Sequence, residues 1–482
     1  MSSSLFLGGH QPAVHLLGQY ANRHGLIAGA TGTGKTISVQ VMAEQFSRLG
    51  VPLFLADVKG DLSGIAAAGR SHSKVEARVA QLGIKGFDYG ANPARFWDLR
   101  GERGHPVRIS LSELGPQLLS RLLELNEAQE GVLTLVFEFA DNEGLLMLDL
   151  NDLKTTLQFV TEQPEALDQS YGRVPKASVS AILRRLLLLE REGAEQFFGE
   201  PALDINDLIA TTADGQGMIN ILAAESLIHT PRIYATFLLW LLSELYEQLP
   251  EVGDLEKPKF VFFFDEAHLL FNGAPKAFVE RVEQVVRLIR SKGVGIYFIS
   301  QSPSDIPDAV LGQLGNRIQH ALRAFTPRDQ KAVRVAAQTF RSNPDLDTET
   351  VITELGVGEA LVSVLDAKGT PSRVERILMR PPCSQIGPLD AMSRARMIDD
   401  SPLASKYRTA ADPESAHELL QARMKKLAAE DLQQKSAVKP RSSSGSQRQG
   451  VAESFFKSVA RSIGGSVGRS IVRGILGSIL KR

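Results

Sequence analysis

The 482-residue chain contains one cysteine, Cys383. A disulfide framework or a cysteine-built metal site within one chain is therefore excluded. In its Pro-Pro-Cys setting Cys383 reads as a passive loop residue. An excess of one charge is also lacking. Lys and Arg number 54 against 55 Asp and Glu, so no global basic field advertises nucleic acid. A ring or channel would still concentrate positive charge locally. No stretch approaches the roughly 20 apolar residues of a membrane span. The N-terminus, Met-Ser-Ser-Ser-Leu-Phe-Leu, has neither a charged n-region nor a long apolar core. These absences predict a cytoplasmic protein. With 43% hydrophobic and 23% charged residues the chain has an ordinary globular composition, and its length suffices for two to four domains.

What is present is organised around Gly25-Leu-Ile-Ala-Gly29-Ala30-Thr31-Gly32-Thr33-Gly34-Lys35-Thr36. It matches G-x-x-x-x-G-K-[ST], a loop whose backbone N–H groups cradle phosphates. Gly29, Gly32 and Gly34 permit the backbone angles this requires. Lys35 then reaches the β- and γ-phosphates, Thr36 ligates Mg²⁺, and the start of the following helix adds positive potential. Leu26-Ile-Ala28 reads as the end of a buried strand and Ile37 to Phe46 as an apolar-spaced helix. The context predicts binding of a nucleoside triphosphate, with ATP and Mg²⁺ as the expected pair.

Residues 1–24 read as a short lead-in. After the P-loop helix, Val51 to Ala56 predicts a buried strand ending at Asp57-Val-Lys59-Gly60-Asp61, the rhythm of a parallel α/β sheet. Asp57, on the ligand-binding edge, is a candidate for assisting metal or water, and equally a turn or N-cap residue. Residues 87–106 look turn-rich. From Ser110 to about Glu200 the pattern is helical, predicting an all-helical insertion with solvated charges and with Phe197 and Phe198 in the core. Gly217 to Leu222 predicts another strand, and Thr230 to Leu249 a helix capped by Thr230 with Pro231 at its first position. Lys257 to Phe264 predicts a strand buried on both faces, ending in Asp265-Glu266. A helix from about 275 to 292 leads into the strand Gly295 to Gln301. Ile318–Arg323 and Ala360–Leu365 are further strand candidates around a helix Asp329–Phe340.

Beyond Arg380 the pattern weakens to an extended arm, Pro381–Pro388, then a polar helix from Asp412 to Gln434 and a flexible linker, Lys439–Gly450. The tail repeats every four residues, with Val459, Ile463, Val467, Ile471, Ile475 and Ile479 in one slot and Lys457, Arg461, Arg469, Arg473 and Lys481 in another. Against a helical period of 3.6 this stripe winds by about 40° per repeat. It suits an anionic membrane, nucleic acid, a protein contact, or docking on its own domain.

The chemistry concentrates at strand ends. Asp265 is the candidate Mg²⁺ ligand through water, and Glu266 the group that orients or deprotonates the attacking water. Glu266 argues for hydrolysis rather than binding alone. Gln301, at the tip of the next strand, is a candidate γ-phosphate sensor. His268 reads as structural. Arg290, with Arg287 three residues earlier, is placed to reach a neighbour's γ-phosphate if subunits form a ring; Arg317 and Arg323 are rivals, and each is equally a surface salt-bridge residue.

Five separated segments then agree. Arg23-His-Gly-Leu-Ile-Ala-Gly-Ala-Thr-Gly-Thr-Gly-Lys-Thr36, Asp57-Val-Lys-Gly-Asp61, Phe264-Asp-Glu-Ala-His268, Arg290-Ser-Lys-Gly-Val-Gly295 and Ile299-Ser-Gln-Ser-Pro-Ser-Asp-Ile306 resemble the HerA branch of the HerA/FtsK ATPases, within it the bacterial HerA-like helicase group. The resemblance covers about residues 15–390. It implies an α/β, RecA-like P-loop NTPase core with a mainly parallel sheet, a homo-hexameric ring, and ATP-driven movement on duplex DNA. Lys35 and Thr36 would serve phosphate and Mg²⁺, Asp265 and Glu266 metal and water, Gln301 as sensor, and Arg290 in trans. The arm at 381–388 would cross onto a neighbour. HerA itself carries a small β-barrel before its P-loop that docks a nuclease; the 24 residues here cannot form one, so no nuclease partner is expected. The expected organisation is a first core part (1–109), helical insertion (110–205), second core part (206–390), helical segment and linker (391–450) and cationic tail (451–482).

Overall fold

The computed structural model describes residues 3–9, 12–163, 174–253, 255–271 and 276–437; the expected linker and cationic tail lie outside the described residues. Twelve strands are described: β1 Ser4–Gly8, β2 Val14–Leu17, β3 Gly25–Ala28, β4 Leu53–Asp57, β5 Ala94–Asp98, β6 His105–Pro106, β7 Ile219–Ala223, β8 Phe260–Phe264, β9 Val294–Ser300, β10 Asn316–Gln319, β11 Glu359–Ser363 and β12 Glu375–Leu378. β1 and β2 form an antiparallel hairpin. The other ten make one sheet in the order β12-β11-β10-β3-β9-β8-β4-β7-β5-β6. From β10 through β6 every pairing is parallel, while β11 and β12 run antiparallel at one edge.

β8 shows why the central strands read as unbroken apolar runs. Phe260, Phe262 and Phe264 enter the core on one face, and Val261 and Phe263 the core on the other. A strand sandwiched by helices has no face to give to water. The P-loop helix, Lys35–Arg48, and the β1–β2 hairpin cover one face. Helices Pro231–Gln248 and Lys276–Ile289 cover the other, together with the helical insertion.

The insertion consists chiefly of helices Leu111–Leu122, Glu127–Asn142, Leu150–Glu162 and Lys176–Arg191. Ser110, Asn126 and Asp149 start the first three with reciprocal capping boxes, each satisfying two otherwise orphaned backbone donors. Its apolar faces merge with the sheet core rather than forming a separate one, and Phe197 and Phe198 are buried there. Most of its charges are solvated, but Asp152 is not. Its buried carboxylate accepts from the N–H groups of Leu148 and Asp149, from Ser415 Oγ (2.5 Å) and from His417 N–H (2.8 Å).

Several expectations are corrected. The lead-in forms the β1–β2 hairpin. The turn-rich 87–106 stretch contains β5 and β6. The strand expected at 318–323 is Asn316–Gln319. Thr230 occupies the N-cap position but makes no capping hydrogen bond, and its hydroxyl is buried without a partner. Among the described residues, order continues from Arg380 to Ala437. The 381–388 segment lies on its own chain, along the P-loop helix: Glu44 accepts the N–H groups of Cys383 (2.9 Å) and Ser384 (2.8 Å), and Gln385 N–H reaches Ala67 O (2.9 Å). Cys383 is thus a buried anchor. Helix Ala416–Ala437 then docks on Leu150–Glu162. Among the described residues no helix is long and apolar enough to cross a membrane.

Candidate functional site

Because β3, β4, β8 and β9 are parallel, their carboxyl ends share one edge of the sheet. The loop after β3 is stitched to its neighbours, with Gly29 N–H donating to Ser300 O (3.2 Å) and Ala30 N–H to Ala321 O (2.8 Å). Gly32 adopts φ +79° with open space where a Cβ would stand, while Gly34, at φ +114°, is backed by Gly358. Lys35 opens the following helix. Its buried ammonium donates to Gly29 O (2.5 Å) and Ala30 O (3.1 Å), within its own loop. Burial pushes its pKa down, the nearby Lys59 charge adds to this, and Glu266 and Asp265 oppose it. Thr36 lies half-buried in the same first turn. Behind the loop, buried His320 joins Ser38 Oγ (2.9 Å) to Glu359 O (2.8 Å), and burial lowers its pKa to about 4.

Asp265 and Glu266 directly follow β8. Burial, and then the adjoining Glu266 charge, raise Asp265 to about 6, and its Oδ1 accepts Glu266 N–H (2.9 Å). Glu266 sits at φ +48°, a left-handed conformation that costs a non-glycine residue about 1–3 kcal/mol and is tolerated where a side chain must be aimed. Its carboxylate meets Lys59 Nζ at 2.5 Å, His268 Nδ1 at 3.2 Å and Gln301 Nε2 at 3.5 Å. Burial works to raise the Glu266 pKa, but the Lys59 hydrogen bond and charge outweigh it and hold the group below its ordinary value.

Asp57 ends β4 and is buried. One carboxylate oxygen accepts Leu62 N–H (3.0 Å); the other is buried without a partner. Burial dominates, and its pKa rises to about 7. Beside the P-loop opens a cleft of about 400 Å³ lined in part by Ala30, Thr31, His268, Gln301, Arg323 and Arg328.

Lys35, Asp265, Glu266, Gln301 and Asp57 are therefore brought to one edge. Arg290 is not. It precedes β9, at the opposite edge from Gln301, and is exposed, as is Arg287. Arg317 spends its guanidinium on Leu314 O (3.3 Å) and Leu311 O (3.2 Å) of its own chain. Arg323 borders the cleft. His268, read as structural, contacts Glu266 through Nδ1. Lys59 and Arg328 went unassigned from sequence. For Lys59 the available signal was its place two residues past the end of β4.

Among the described residues no cluster of three or more His, Cys, Asp or Glu side chains could hold a metal. The donors near the loop are the Thr36 hydroxyl and the Asp265 carboxylate. Such a sparse, hard-oxygen set fits Mg²⁺, which takes its remaining ligands from phosphate and water.

The family described as helicase HerA-like C-terminal matches residues 7–482. "Probable helicase MJ1565" of Methanocaldococcus jannaschii is 23% identical over 346 residues, 71% of this chain and 60% of that protein. "Probable helicase MJECL08" of the same organism is 30% identical over 125 residues, 25% of this chain and 22% of that one. The chain thus spans under two thirds of either relative's length. Among solved structures, the bacterial conjugative coupling protein TrwB, unbound, aligns with a TM-score of 0.52 at 13% identity, covering 80% of this chain and 91% of that one. TrwB with the ATP analogue ADPNP aligns at 0.51, with 13% identity and coverages of 77% and 88%. These likenesses concern the fold. With the family matched along almost its whole length and a P-loop at the carboxyl edge of a parallel sheet, the chain belongs to the helicase HerA-like C-terminal family of P-loop ATPases.

Proposed function

We propose that this chain is an ATP-driven motor that acts on duplex DNA as a homo-hexameric ring. The observation that carries the reading is the convergence of Lys35, Asp265 and Glu266 at one sheet edge beside an open P-loop. Gly29 to Thr36 cradle the phosphates, with Lys35 on the β- and γ-phosphates. Thr36 and Asp265 hold Mg²⁺, which would neutralise charge on the phosphate oxygens. Glu266 orients the attacking water and takes its proton, Gln301 contacts the γ-phosphate, and Asp57 supports metal or water. The likeness to TrwB in complex with the ATP analogue ADPNP supports this nucleotide. Arg290, too far round the sheet for its own nucleotide, serves that of a neighbouring subunit.

The test is the ATPase rate of the purified protein with and without duplex DNA, at two salt concentrations. Strong stimulation that falls with salt is expected. Hydrolysis by rings with no response to DNA would favour the second reading, an ATPase acting on protein or at a membrane surface, which the cationic repeat at 457–481 supports. Glu266→Gln should retain bound ATP while losing turnover; normal turnover would remove Glu266 from its assigned role.

A further inference from the structure

Lys59 lies in a turn that its neighbours hold firmly. Asp57 Oδ2 accepts Leu62 N–H (3.0 Å), Ser63 Oγ donates to Gly60 O (3.3 Å), and Gly60 adopts φ +76°. From this turn the Lys59 side chain, 36% exposed, reaches Glu266 Oε1 at 2.5 Å, whereas the Glu266 side chain is only 7% exposed. The other carboxylate oxygen faces His268 Nδ1 and Gln301 Nε2. Both oxygens of Glu266 are thus engaged, and a carboxylate so paired is a poor base for water. Lys35 is likewise turned onto its own loop carbonyls. Lys35 also lies close enough to feel the Lys59 charge, and Asp265 and Glu266 are near both lysines. Two ammonium groups therefore approach the Asp265–Glu266 pair, each resting on a group of the protein.

We propose that Lys59 is a γ-phosphate-binding residue that guards Glu266: it pairs with Glu266 until a nucleoside triphosphate arrives, then passes to the γ-phosphate and frees the carboxylate for the attacking water. The inference rests on the ATPase reading. No covalent bond changes; one ion pair is exchanged for another. A γ-phosphate offers more negative charge and more acceptor oxygens than a carboxylate, and lysine binds phosphate as a mobile point charge on a flexible stem. The one-third exposure of Lys59 leaves it room to move, while Glu266 is fixed by its backbone. A diphosphate lacks the group that draws Lys59 away, so hydrolysis returns the lysine to Glu266. Lys59 thereby adds to the discrimination between ATP and ADP that Lys35 and Gln301 begin.

The experiment is isothermal titration of the full chain, in Mg²⁺, with ADP and with the non-hydrolysable β,γ-imido analogue of ATP. Lys59→Met should weaken the analogue about tenfold or more, the value of a lost charged hydrogen bond, with ADP affinity unchanged. Lys59→Arg should keep most of the preference. In Glu266→Gln, Lys59 has no carboxylate to leave, so the analogue should bind more tightly than to the unaltered chain. An unchanged analogue-to-ADP ratio in Lys59→Met, with ADP still bound, overturns the proposal. So does unchanged analogue affinity in Glu266→Gln. If the unaltered chain binds neither nucleotide, the ATPase reading falls first and the proposal with it.

Discussion

Three carboxylates at strand ends, Asp57, Asp265 and Glu266, look alike in sequence and differ in the fold. Asp57 and Asp265 are raised to about 7 and about 6, chiefly by burial, whereas the Lys59 ion pair holds Glu266 down. Asp57 makes the consequence measurable. Unfolded, it ionises near 3.8; folded, near 7. Below the lower value both states hold the proton, and no stability is lost. Between the two, the unfolded chain releases a proton that the folded chain keeps, so stability falls as pH rises and levels off above about 7. At about 1.4 kcal/mol per pH unit, the full effect is of the order of 4 kcal/mol. Asp57→Asn carries no such penalty. Its melting temperature, measured without Mg²⁺ or nucleotide, should gain on the unaltered chain from pH 4 to 7 and then hold a constant lead. A difference independent of pH would mean that Asp57 ionises normally. The residue types of this site were legible in the sequence because the P-loop and Asp265-Glu266 are local patterns. Their protonation was not, because burial and the approach of Lys59 come from elements far apart in the chain.

At the scale of elements, the central strands β3, β4, β7, β8 and β9 were legible as short apolar runs between turn signals, and the insertion helices by their apolar pattern. β5, Ala94–Asp98, was hidden because its residues sit among Asn, Pro and Gly, and its strand character comes from pairing with β7. The docking of the 381–388 segment on its own chain was not legible for a similar reason. Its backbone donors are satisfied by Glu44, a buried acid on the P-loop helix over 300 residues away in sequence. Glu44→Ala leaves the Cys383 and Ser384 N–H groups buried and unpaired. It should cost about 1–3 kcal/mol for each group left unsatisfied. Denaturant melts would read the total, and amide exchange should quicken at 383 and 384. If exchange there is unaltered, Glu44 does not hold the segment.

For the whole molecule, the sheet separates the Lys35–Glu266 edge from the edge that carries Arg290, so one chain cannot bring them together. In a ring, adjoining subunits can. Arg290→Ala should lower turnover by about 10³-fold, the lower end of what such an arginine contributes, while leaving particle size in light scattering unchanged. Mixed with Glu266→Gln, it should regain part of the activity, since some interfaces then pair an intact glutamate with an intact arginine. Failure at every mixing ratio would count against action in trans.

The sequence by itself determined the P-loop, the run of buried parallel strands, the helical insertion and the acids that follow β8, because glycine geometry and hydrophobic period act over a few residues. Tertiary structure alone decided that Lys59 closes on Glu266, that Glu44 clasps the 381–388 segment, that Asp152 receives the helix beginning at Ala416, and that Arg290 faces away from its own site. Those outcomes depend on strand order and on charges meeting in a low-dielectric interior, and neither is written in any short stretch of chain.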